Sequence, residues 1–272
     1  MAVAAFAVRQ EPIGTIVSLP LGMAQLTSDG LSEQWVLRFC GDQHWALIAK
    51  ALGLPSAVFH ATDGRPVYAA FCATSLRLPM SSVPLLGRDV QVDSTLFAVT
   101  DTRTGSRHRL VIDGALIAEL SMISTFVSHD ASGSNTRIYR NSVLGEMHLP
   151  PAETGLTQLD WLARDTARSL HRTAPDRATE IFSERPTPSL DFNAVGLLYF
   201  PTFSRIVETA VFVRSGRPVS TVGRDVVYLG NINHGDTVHV FDHGAMALMT
   251  RGDGTLIAAI RTLTAPERPL AT

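Results

Sequence analysis

Residues 188–200 read PSLDFNAVGLLYF, and this stretch decides the predicted fold. Its first part is rich in turn-forming residues. From Leu197 onward the apolar residues recur at steps of three and four, the period of a helix that is buried on most of its surface. The pattern continues through Phe203, Ile206, Val207, Ala210 and Val211. The sequence therefore predicts a central hydrophobic helix that begins near Leu197.

Two short polar residues, Asp191 and Asn193, stand just before this helix. Such side chains often cap free backbone N–H groups at a helix start, where the positive end of the helix dipole points outward. The same helix end also suits a thioester carbonyl that is becoming an oxyanion. Both roles, plain caps and a catalytic site, are open at this point.

The order Asp-x-Asn followed by a Tyr-containing hydrophobic helix resembles the entry to the long helix of hot-dog domains. Many thioesterases and dehydratases that act on acyl-CoA or acyl-carrier protein have this fold. The resemblance implies a curved antiparallel sheet wrapped around the helix.

Composition limits the classes of function. The chain has 272 residues, of which 45% are apolar and 18% charged, with a formal net charge of −2. There is thus no electrostatic reason to expect a nucleic-acid partner. Residues 1–8 are apolar but have no basic start, and no apolar run approaches the length of a membrane span. Cys40 and Cys72 lie in apolar segments without metal-ligand spacing, so we expect free thiols, no metal site and a cytoplasmic protein.

Two short segments of the first half of the chain recur in the second half. Residues 86–90 (LGRDV) resemble residues 222–226 (VGRDV), and residues 113–118 (DGALIA) resemble residues 253–258 (DGTLIA). The Asp-Gly pairs predict tight hairpin turns between antiparallel strands. Because the spacing between the two echoes is nearly the same in both halves, we infer a tandem duplication. A third likeness, between residues 64–67 and 216–219 (both GRPV), lies off this register and receives little weight.

A duplication requires a second central helix, and the first half has one. Residues 30–39 (GLSEQWVLRF) start an apolar pattern that continues to Leu52, with Ser32 as its predicted cap and Gly53 as its stop. Each half therefore has a helix followed by antiparallel strands. The predicted fold class is α+β, a double hot-dog built from two tandem repeats.

The predicted domain boundaries follow from this duplication. Residues 128–135 are polar and rich in turn formers, and residues 156–170 predict an exposed amphipathic helix. We expect an N-terminal hot-dog repeat at residues 1–127, a linker with an amphipathic helix at 128–178, and a C-terminal hot-dog repeat at 179–272.

Six short motifs spread over both halves of the chain point to one family. They are GMAQL at 22–26, GLSEQW at 30–35, GDQHW at 41–45, PVYAAF at 66–71, LDFN at 190–193 and YF at 199–200. Together they resemble the double hot-dog bifunctional acyltransferase/decarboxylases of polyketide biosynthesis, of the leinamycin-pathway type. The chain departs from the family pattern at Ala24, where Pro is expected, and at Ala194, where Gly is expected. Losing a Gly beside Asn193 can change how closely a substrate approaches the helix end.

The resemblance implies a reaction. Members of this family decarboxylate methylmalonyl-CoA and pass the propionyl group to the phosphopantetheine thiol of an acyl-carrier protein. They use no metal or redox cofactor, and the coenzyme A thioester is the substrate. A Tyr is the proposed acylated residue in the family, and by motif position it matches Tyr68.

The residues themselves suggest roles in this chemistry. Loss of CO₂ requires donors for the enolate oxygen, and Asn193 with helix N-terminal amides can supply them. Ser32, at the start of the other helix, is a second donor candidate, although a simple cap is the better explanation of this residue. Tyr68 can act as an acylated nucleophile or as a neutral acid and hydrogen-bond donor, because a phenol with a pKa of about 10 needs activation to attack.

Other candidates are less defined. Arg88 and Arg224 occur in the repeated Gly-Arg-Asp and can bind a CoA phosphate or the substrate carboxylate; an internal Arg–Asp pair with Asp89 or Asp225 is the simpler alternative. His44 is predicted to be a core histidine.

Two other functions remain open. One is an acyl-CoA or acyl-carrier-protein thioesterase in which Asp191 activates water. The other is a non-catalytic thioester-binding hot-dog protein. The expected partners are an acyl-CoA substrate and an acyl-carrier protein, and the expected state is a monomer that forms a pseudo-dimer, or a homodimer.

Overall fold

The computed structural model describes residues 12–79, 84–170, 178–217 and 219–265. The apolar N-terminal segment at residues 1–8 lies outside these residues. No helix in the described part of the chain is long and apolar enough to cross a bilayer.

Four helices and fourteen strands form the described part of the chain. The helices are α1 (Glu33–Ala51), α2 (Thr154–Ser169), α3 (Pro188–Asp191) and α4 (Phe200–Ser215). The strands are β1 (Gly14–Pro20), β2 (Leu26–Thr27), β3 (Gly30–Leu31), β4 (Phe59–His60), β5 (Pro66–Arg77), β6 (Asp89–Thr100), β7 (Arg103–Ile112), β8 (Ala115–His129), β9 (Ile138–Arg140), β10 (Thr179–Glu184), β11 (Thr221–Tyr228), β12 (Val238–His243), β13 (Met246–Arg251) and β14 (Leu256–Thr264).

One antiparallel sheet runs through both halves of the chain. Its strand order is β1-β6-β7-β8-β5-β11-β14-β13-β12-β10, with β4 beside β5 and β9 beside β8. Counted outward from the β5–β11 contact, the strands of the two halves correspond one to one: β5 to β11, β8 to β14, β7 to β13, β6 to β12 and β1 to β10. The sheet therefore consists of two five-stranded repeats, each with its own helix, α1 or α4. This is the double hot-dog arrangement that the sequence predicts.

The first central helix begins and ends where its sequence predicts. Ser32 is the N-cap, and its Oγ accepts a hydrogen bond from the Trp35 N–H at 3.3 Å. The helix ends at Ala51, and Gly53 follows with a φ of 68°. One face is buried against the sheet of the first repeat: Val36, Leu37, Cys40, His44, Leu47 and Ile48.

The second central helix begins three residues later than predicted. Its N-cap is Tyr199, its first residue is Phe200, and no side chain caps it. Leu197 and Leu198 are buried, but they lie in the turn before the helix. Their burial explains why the apolar pattern places the helix start too early. Of the two roles left open for Asp191 and Asn193, the one as side-chain caps of this helix is wrong.

The two central helices approach each other closely at Gly41. A Cβ atom at this position would lie 2.9 Å from the Cε1 and Cζ atoms of the Phe200 ring. Only a residue without a side chain fits here. The contact brings the middle of α1 against the first residue of α4, so it fixes how the two repeats meet.

The helix predicted in the linker does form, as α2, but it is not merely an exposed connection. Its residues Leu156, Leu159 and Ala163 are buried against Ile123 of β8 and Val227 of β11. The next residue back along β11, Val226, packs instead with residues of α4. Since neighbouring residues of a strand point to opposite faces, α2 covers the face of the sheet opposite α4. Helix α2 therefore spans both repeats. The predicted boundaries at 127/128 and 178/179 fall near the end of β8 and just before β10, and they remain a prediction.

The true register of the repeat differs in part from the predicted one. The two Asp-Gly turns join β7 to β8 and β13 to β14, which are corresponding hairpins, as predicted. The Gly-Arg-Asp echo is not structural, because residues 86–90 lead into β6 whereas residues 222–226 lie within β11, the counterpart of β5. The two GRPV segments, in contrast, occupy corresponding positions. Residues 64–67 run into the start of β5, and the described residues of 216–219 lie just before β11; residue 218 is outside the described residues.

Candidate functional site

A cavity of about 860 Å³ lies where the two repeats meet. The first repeat lines it with residues of α1, β5 and the segment after β8, and the second repeat lines it with the turn before α4 and the end of β11. Most of the lining side chains are apolar or aromatic. A cavity with such a wall and a few polar groups is typical of a site for a small organic ligand.

Tyr68 lies on β5 and lines this cavity from the first repeat. It pairs across the sheet with Val127 of β8 and is half-buried. Its ring contacts the His129 ring, with centroids 5.7 Å apart and planes at 69°. Its hydroxyl has no hydrogen-bond partner among the described residues, so the phenol can bond to a ligand.

Asn193 lines the same cavity from the second repeat. Its Oδ1 accepts hydrogen bonds from the N–H groups of Val195 at 3.2 Å and Leu197 at 3.0 Å. Its own N–H donates to the Leu197 carbonyl at 2.9 Å. Asn193 therefore organises the turn before α4. Within the described residues its Nδ2 donates to no protein atom, which leaves this group for a ligand.

Asp191 does not line the cavity. Its carboxylate accepts hydrogen bonds from the Thr187 N–H at 2.8 Å and from Arg205 Nη2 at 2.9 Å, one on each oxygen. Its backbone carbonyl accepts from the Tyr199 N–H at 2.7 Å and the Thr202 hydroxyl at 3.2 Å. Asp191 thus fixes the entry of α4 through its backbone, while its side chain is held in an ion pair.

The other predicted binding residues also lie outside the lining. Ser32 caps α1, as described above. Arg88 pairs with Asp113 at the surface. Arg224 is 1% exposed and bonds to Glu33 at 3.0 Å and Glu208 at 2.5 Å. The structure therefore brings Tyr68 and Asn193 together and leaves the four predicted substrate-binding residues elsewhere.

Sequence reasoning missed a polar and aromatic group on α1. Arg38, Asp42 and Trp45 follow each other at steps of four and three, so they share one face of the helix, and all three line the cavity. Arg38 lies 5.8 Å from the centroid of the Tyr199 ring. Trp45 stacks near the same ring, at 6.4 Å between centroids. The sequence shows that these three residues share a face of α1, but it does not show that this face lines a cavity.

Two titratable groups that line the cavity, Tyr199 and Asp42, have raised pKa values. Burial and, to a smaller extent, nearby Asp42 raise the pKa of Tyr199 to about 12, and Arg38 opposes the shift. Burial also raises the pKa of the Asp42 carboxyl above its usual value. Arg38 and Asp42 are exposed as well as cavity-lining, so they mark its mouth.

Two other polar groups that line the cavity are already hydrogen-bonded within the protein. The buried hydroxyl of Tyr228 bonds to the Thr74 hydroxyl at 3.1 Å, and burial raises the pKa of this phenol well above its usual value. Asn231 accepts a hydrogen bond from the Leu198 N–H at 2.9 Å and thereby holds the turn that carries Asn193. These residues shape the cavity and keep their own polar atoms paired.

His44 is a core residue, as predicted. It is fully buried between Ser106 at 2.7 Å and Ser124 at 2.8 Å, and Ser106 also contacts the Nε2 atom of His108 at 2.7 Å. Of the described residues lining the cavity, none is a histidine. Nor do three or more His, Cys, Asp or Glu side chains of the described residues cluster as metal ligands.

No family model matches the chain, and no curated protein matches it in sequence. Solved structures do match its fold over nearly the whole length. One is an acyl-ACP thioesterase from Bacteroides thetaiotaomicron VPI-5482, with a TM-score of 0.64, 10% identity, and coverage of 93% of this chain and 98% of that one.

A second is the 12:0-ACP thioesterase from Umbellularia californica, with a TM-score of 0.65, 13% identity, and coverage of 95% and 99%. Identities this low are evidence about fold alone. The chain has the double hot-dog fold.

Proposed function

We propose that this chain acts on the thioester of an acyl-CoA, decarboxylates a malonyl-type substrate such as methylmalonyl-CoA, and transfers the acyl group to an acyl-carrier protein. The observation that carries the proposal is that Tyr68 and Asn193, 125 positions apart and on different repeats, line one cavity with polar groups free for a ligand. The motif resemblance that selects these two residues is independent of the cavity.

The decarboxylation step needs little acid–base chemistry. The bond between the α-carbon and the carboxylate breaks, CO₂ leaves, and the electron pair passes to the thioester carbonyl as an enolate. Nδ2 of Asn193 is placed to donate to that oxygen. The apolar wall favours the loss of charge on the carboxylate because water is excluded there. A proton from Tyr68 or from solvent then returns to the α-carbon.

The transfer step exchanges one thioester for another. If Tyr68 is the nucleophile, its oxygen attacks the carbonyl, the C–S bond breaks and the CoA thiol leaves with a proton. The phosphopantetheine thiol of the carrier then attacks the acyl-tyrosine and restores the phenol. If Tyr68 acts only as a donor, the carrier thiol attacks the acyl-CoA directly. Both routes keep Tyr68 in contact with the reacting atoms.

Hydrolysis of an acyl thioester is the second candidate. The two solved structures described above are named as acyl-ACP thioesterases, and this favours a hydrolase. Asp191 is a poor candidate for the base, because both of its carboxylate oxygens are engaged and it does not line the cavity. In a hydrolase the base would instead be Asp42, a cavity carboxyl whose raised pKa suits proton transfer.

The proposal extends to the partners and the assembly. The acceptor is an acyl-carrier protein, the donor is an acyl-CoA, and no cofactor takes part. The two repeats of one chain already supply the pair of hot-dog units that form the cavity. A monomer, or a homodimer of such chains, is therefore the proposed active form.

Intact mass spectrometry tests the proposal. Purified protein is mixed with methylmalonyl-CoA and a carrier protein that bears phosphopantetheine. Loss of CO₂ with a propionyl group on the carrier supports the proposed function. Release of free methylmalonate supports the hydrolase instead, and no turnover of any acyl-CoA leaves a thioester-binding protein.

Three variants connect the reaction to the site. Tyr68→Phe removes only the phenol oxygen, and Asn193→Asp keeps the turn-forming Oδ1 but removes the Nδ2 donor. We expect each to lower kcat by about 10²-fold or more, as the loss of an oxyanion donor does. Tyr139→Phe is the control, because Tyr139 is exposed outside the cavity lining. Full activity in the first two variants would remove them from the site.

A further inference from the structure

The side chain of Asn135 lines the cavity and joins the two repeats there. It is 8% exposed. Its Nδ2 donates to the carbonyls of Gly196 at 2.5 Å and Ile232 at 2.8 Å. Its N–H donates to Asn233 Oδ1 at 2.9 Å. Asn135 follows the last long strand of the first repeat, and all three partners belong to the second repeat.

These contacts fix which way the amide of Asn135 faces. Carbonyl oxygens can only accept hydrogen bonds, so the atom between Gly196 and Ile232 is the amide nitrogen. The amide oxygen therefore faces the other way, towards His129 Nε2 at 2.9 Å. Because an amide oxygen can only accept, His129 Nε2 must carry a hydrogen. In the neutral imidazole the other nitrogen, Nδ1, is then an unprotonated acceptor.

His129 also contacts Tyr68, the first of the two candidate catalytic residues. Its ring meets the ring of Tyr68 edge to face, at the distance and angle given above. Edge-to-face contact is a preferred geometry for aromatic pairs, and it restricts the plane of each ring. Since Nε2 is anchored to Asn135, His129 cannot rotate freely, and the ring of Tyr68 is held against a fixed surface.

The amide nitrogen of Asn135 bonds to the turn that carries Asn193, the second candidate. Gly196, whose carbonyl Asn135 holds, lies in the turn that Asn193 organises, and the Gly196 N–H donates to the Asn193 carbonyl at 2.9 Å. Gly196 has a φ of 81°, a conformation in which few other residues are stable. A fixed carbonyl at this flexible position limits the movement of the turn.

We propose that His129 and Asn135 form a positioning pair that sets the phenol of Tyr68 and the amide of Asn193 relative to each other across the cavity. His129 does not line the cavity, and both polar atoms of the Asn135 side chain are bonded to the protein, so neither residue acts on the substrate directly. The inference rests on the proposed function, because it assumes that Tyr68 and Asn193 bind the reacting thioester.

Two substitutions break the pair at different links. His129→Phe keeps an aromatic ring against Tyr68 but removes the donor to Asn135. Asn135→Asp keeps the acceptor for His129 but removes the two donations to Gly196 and Ile232. For a positioning role we expect kcat to fall by roughly tenfold or more in each variant. KM for methylmalonyl-CoA should change by less than about twofold, because ground-state binding is kept.

Ser134→Ala is the matched control. Ser134 lies in the same segment and bonds to Asn233 at 3.1 Å, but it contacts neither His129 nor the cavity. The control should keep the kcat of the wild-type protein. Thermal unfolding of all three variants identifies any that fail to fold. Folded His129→Phe with wild-type kcat would overturn the proposal.

The tautomer of His129 gives a readout that does not depend on activity. In the wild-type protein at alkaline pH, where imidazoles are neutral, ¹⁵N NMR distinguishes the two tautomers. The signal of His129 is assigned by its loss in His129→Phe. We expect hydrogen on Nε2, and hydrogen on Nδ1 would overturn the proposal. If the wild-type protein turns over no acyl thioester, the proposed function fails, whereas the tautomer still shows whether His129 and Asn135 are paired, so the two failures are distinguishable.

Discussion

Asp191 and Asn193 stand two positions apart, but their side chains have different surroundings. The carboxylate of Asp191 is 10% exposed and pairs with Arg205, which also bonds to Glu184. The amide of Asn193 faces the cavity. A short segment between β10 and α4 therefore has one residue that holds the helix entry and another that is open to a ligand.

Asp191→Asn tests this division of roles. The substitution removes the charge opposite Arg205 while it keeps the shape, so we expect the free energy of unfolding to fall by about 1–3 kcal/mol. Turnover of the acyl thioester should stay in the wild-type range, because the carboxylate does not line the cavity. Urea denaturation and steady-state kinetics measure the two quantities.

A catalytic base at Asp191 predicts the opposite outcome. Turnover would then fall by about 10²–10⁴-fold, as the loss of a general base does. Asp63→Asn is the control for stability, since Asp63 is 45% exposed and pairs only with its neighbour Arg65. That surface pair should contribute little.

The sequence allowed part of the site to be predicted. Tyr68 and Asn193 lie at the cavity, and both came from local motifs. The motifs say nothing about partners far along the chain, such as Arg205 for Asp191 or His129 for Tyr68. They also miss the Arg38–Asp42–Trp45 face, since a helix shows its spacing in the sequence but not the neighbour that each face meets.

At the scale of elements, the same tripeptide occupies two settings. Gly87-Arg88-Asp89 lies where a loop enters β6, and Arg88 is 39% exposed beside Asp113, which is 75% exposed. Gly223-Arg224-Asp225 lies within β11, where Arg224 is 1% exposed between Glu33 of α1 and Glu208 of α4. Arg224 therefore links both central helices to the sheet, and Arg88 links two loops.

The two arginines form a matched pair for a stability test. Arg224→Ala leaves two carboxylates without their buried partner, and we expect the free energy of unfolding to fall by about 3 kcal/mol or more. Arg88→Ala removes a surface pair and should cost less than about 1 kcal/mol. Chemical denaturation compares them. Equal losses would contradict the assignment of Arg224 as the buried link.

Elements with strong local signals were predictable. The cap at Ser32, the stop at Gly53 and the Asp-Gly hairpins all occur where the sequence places them. The start of α4 was not, because Leu197 and Leu198 are buried although they precede the helix, and they extend the apolar pattern beyond it. The register of the repeat was misjudged because a short motif, Gly-Arg-Asp, occurs in both a loop and a strand.

At the scale of the molecule, the repeats are joined by the β5–β11 contact and differ in what they bury. Asp225 at this contact bonds to Ser75 and Arg77 of β5 and to Arg261 of β14. Burial alone would raise the pKa of this carboxyl, but the hydrogen bonds from Arg77, Arg261 and Ser75 lower it below the usual value. Its contribution to stability is present above pH 3.8 and is lost as the pH falls further.

The first repeat also buries two histidines, and these make the folded molecule sensitive to acid at a higher pH than Asp225 does. His44 and His108 are fully buried, and burial lowers the pKa of each from 6.5 to about 3; the charge of His44 adds to the shift of His108. Below pH 6.5 the unfolded chain binds two protons that the folded chain does not, so stability falls with pH down to about 3.

The steepness of this loss is the final prediction. Each histidine contributes about 1.4 kcal/mol per pH unit, so the two together remove about 6 kcal/mol over two units, which equals the whole stability of a marginally stable domain. Urea denaturation between pH 6.5 and 5 measures the slope. His44→Gln or His108→Asn should halve it. A flat profile in the wild-type protein would show that the buried pair is protonated without cost, and the loss of stability in acid would then come from carboxyl groups with a lowered pKa, such as Asp225 at the β5–β11 contact.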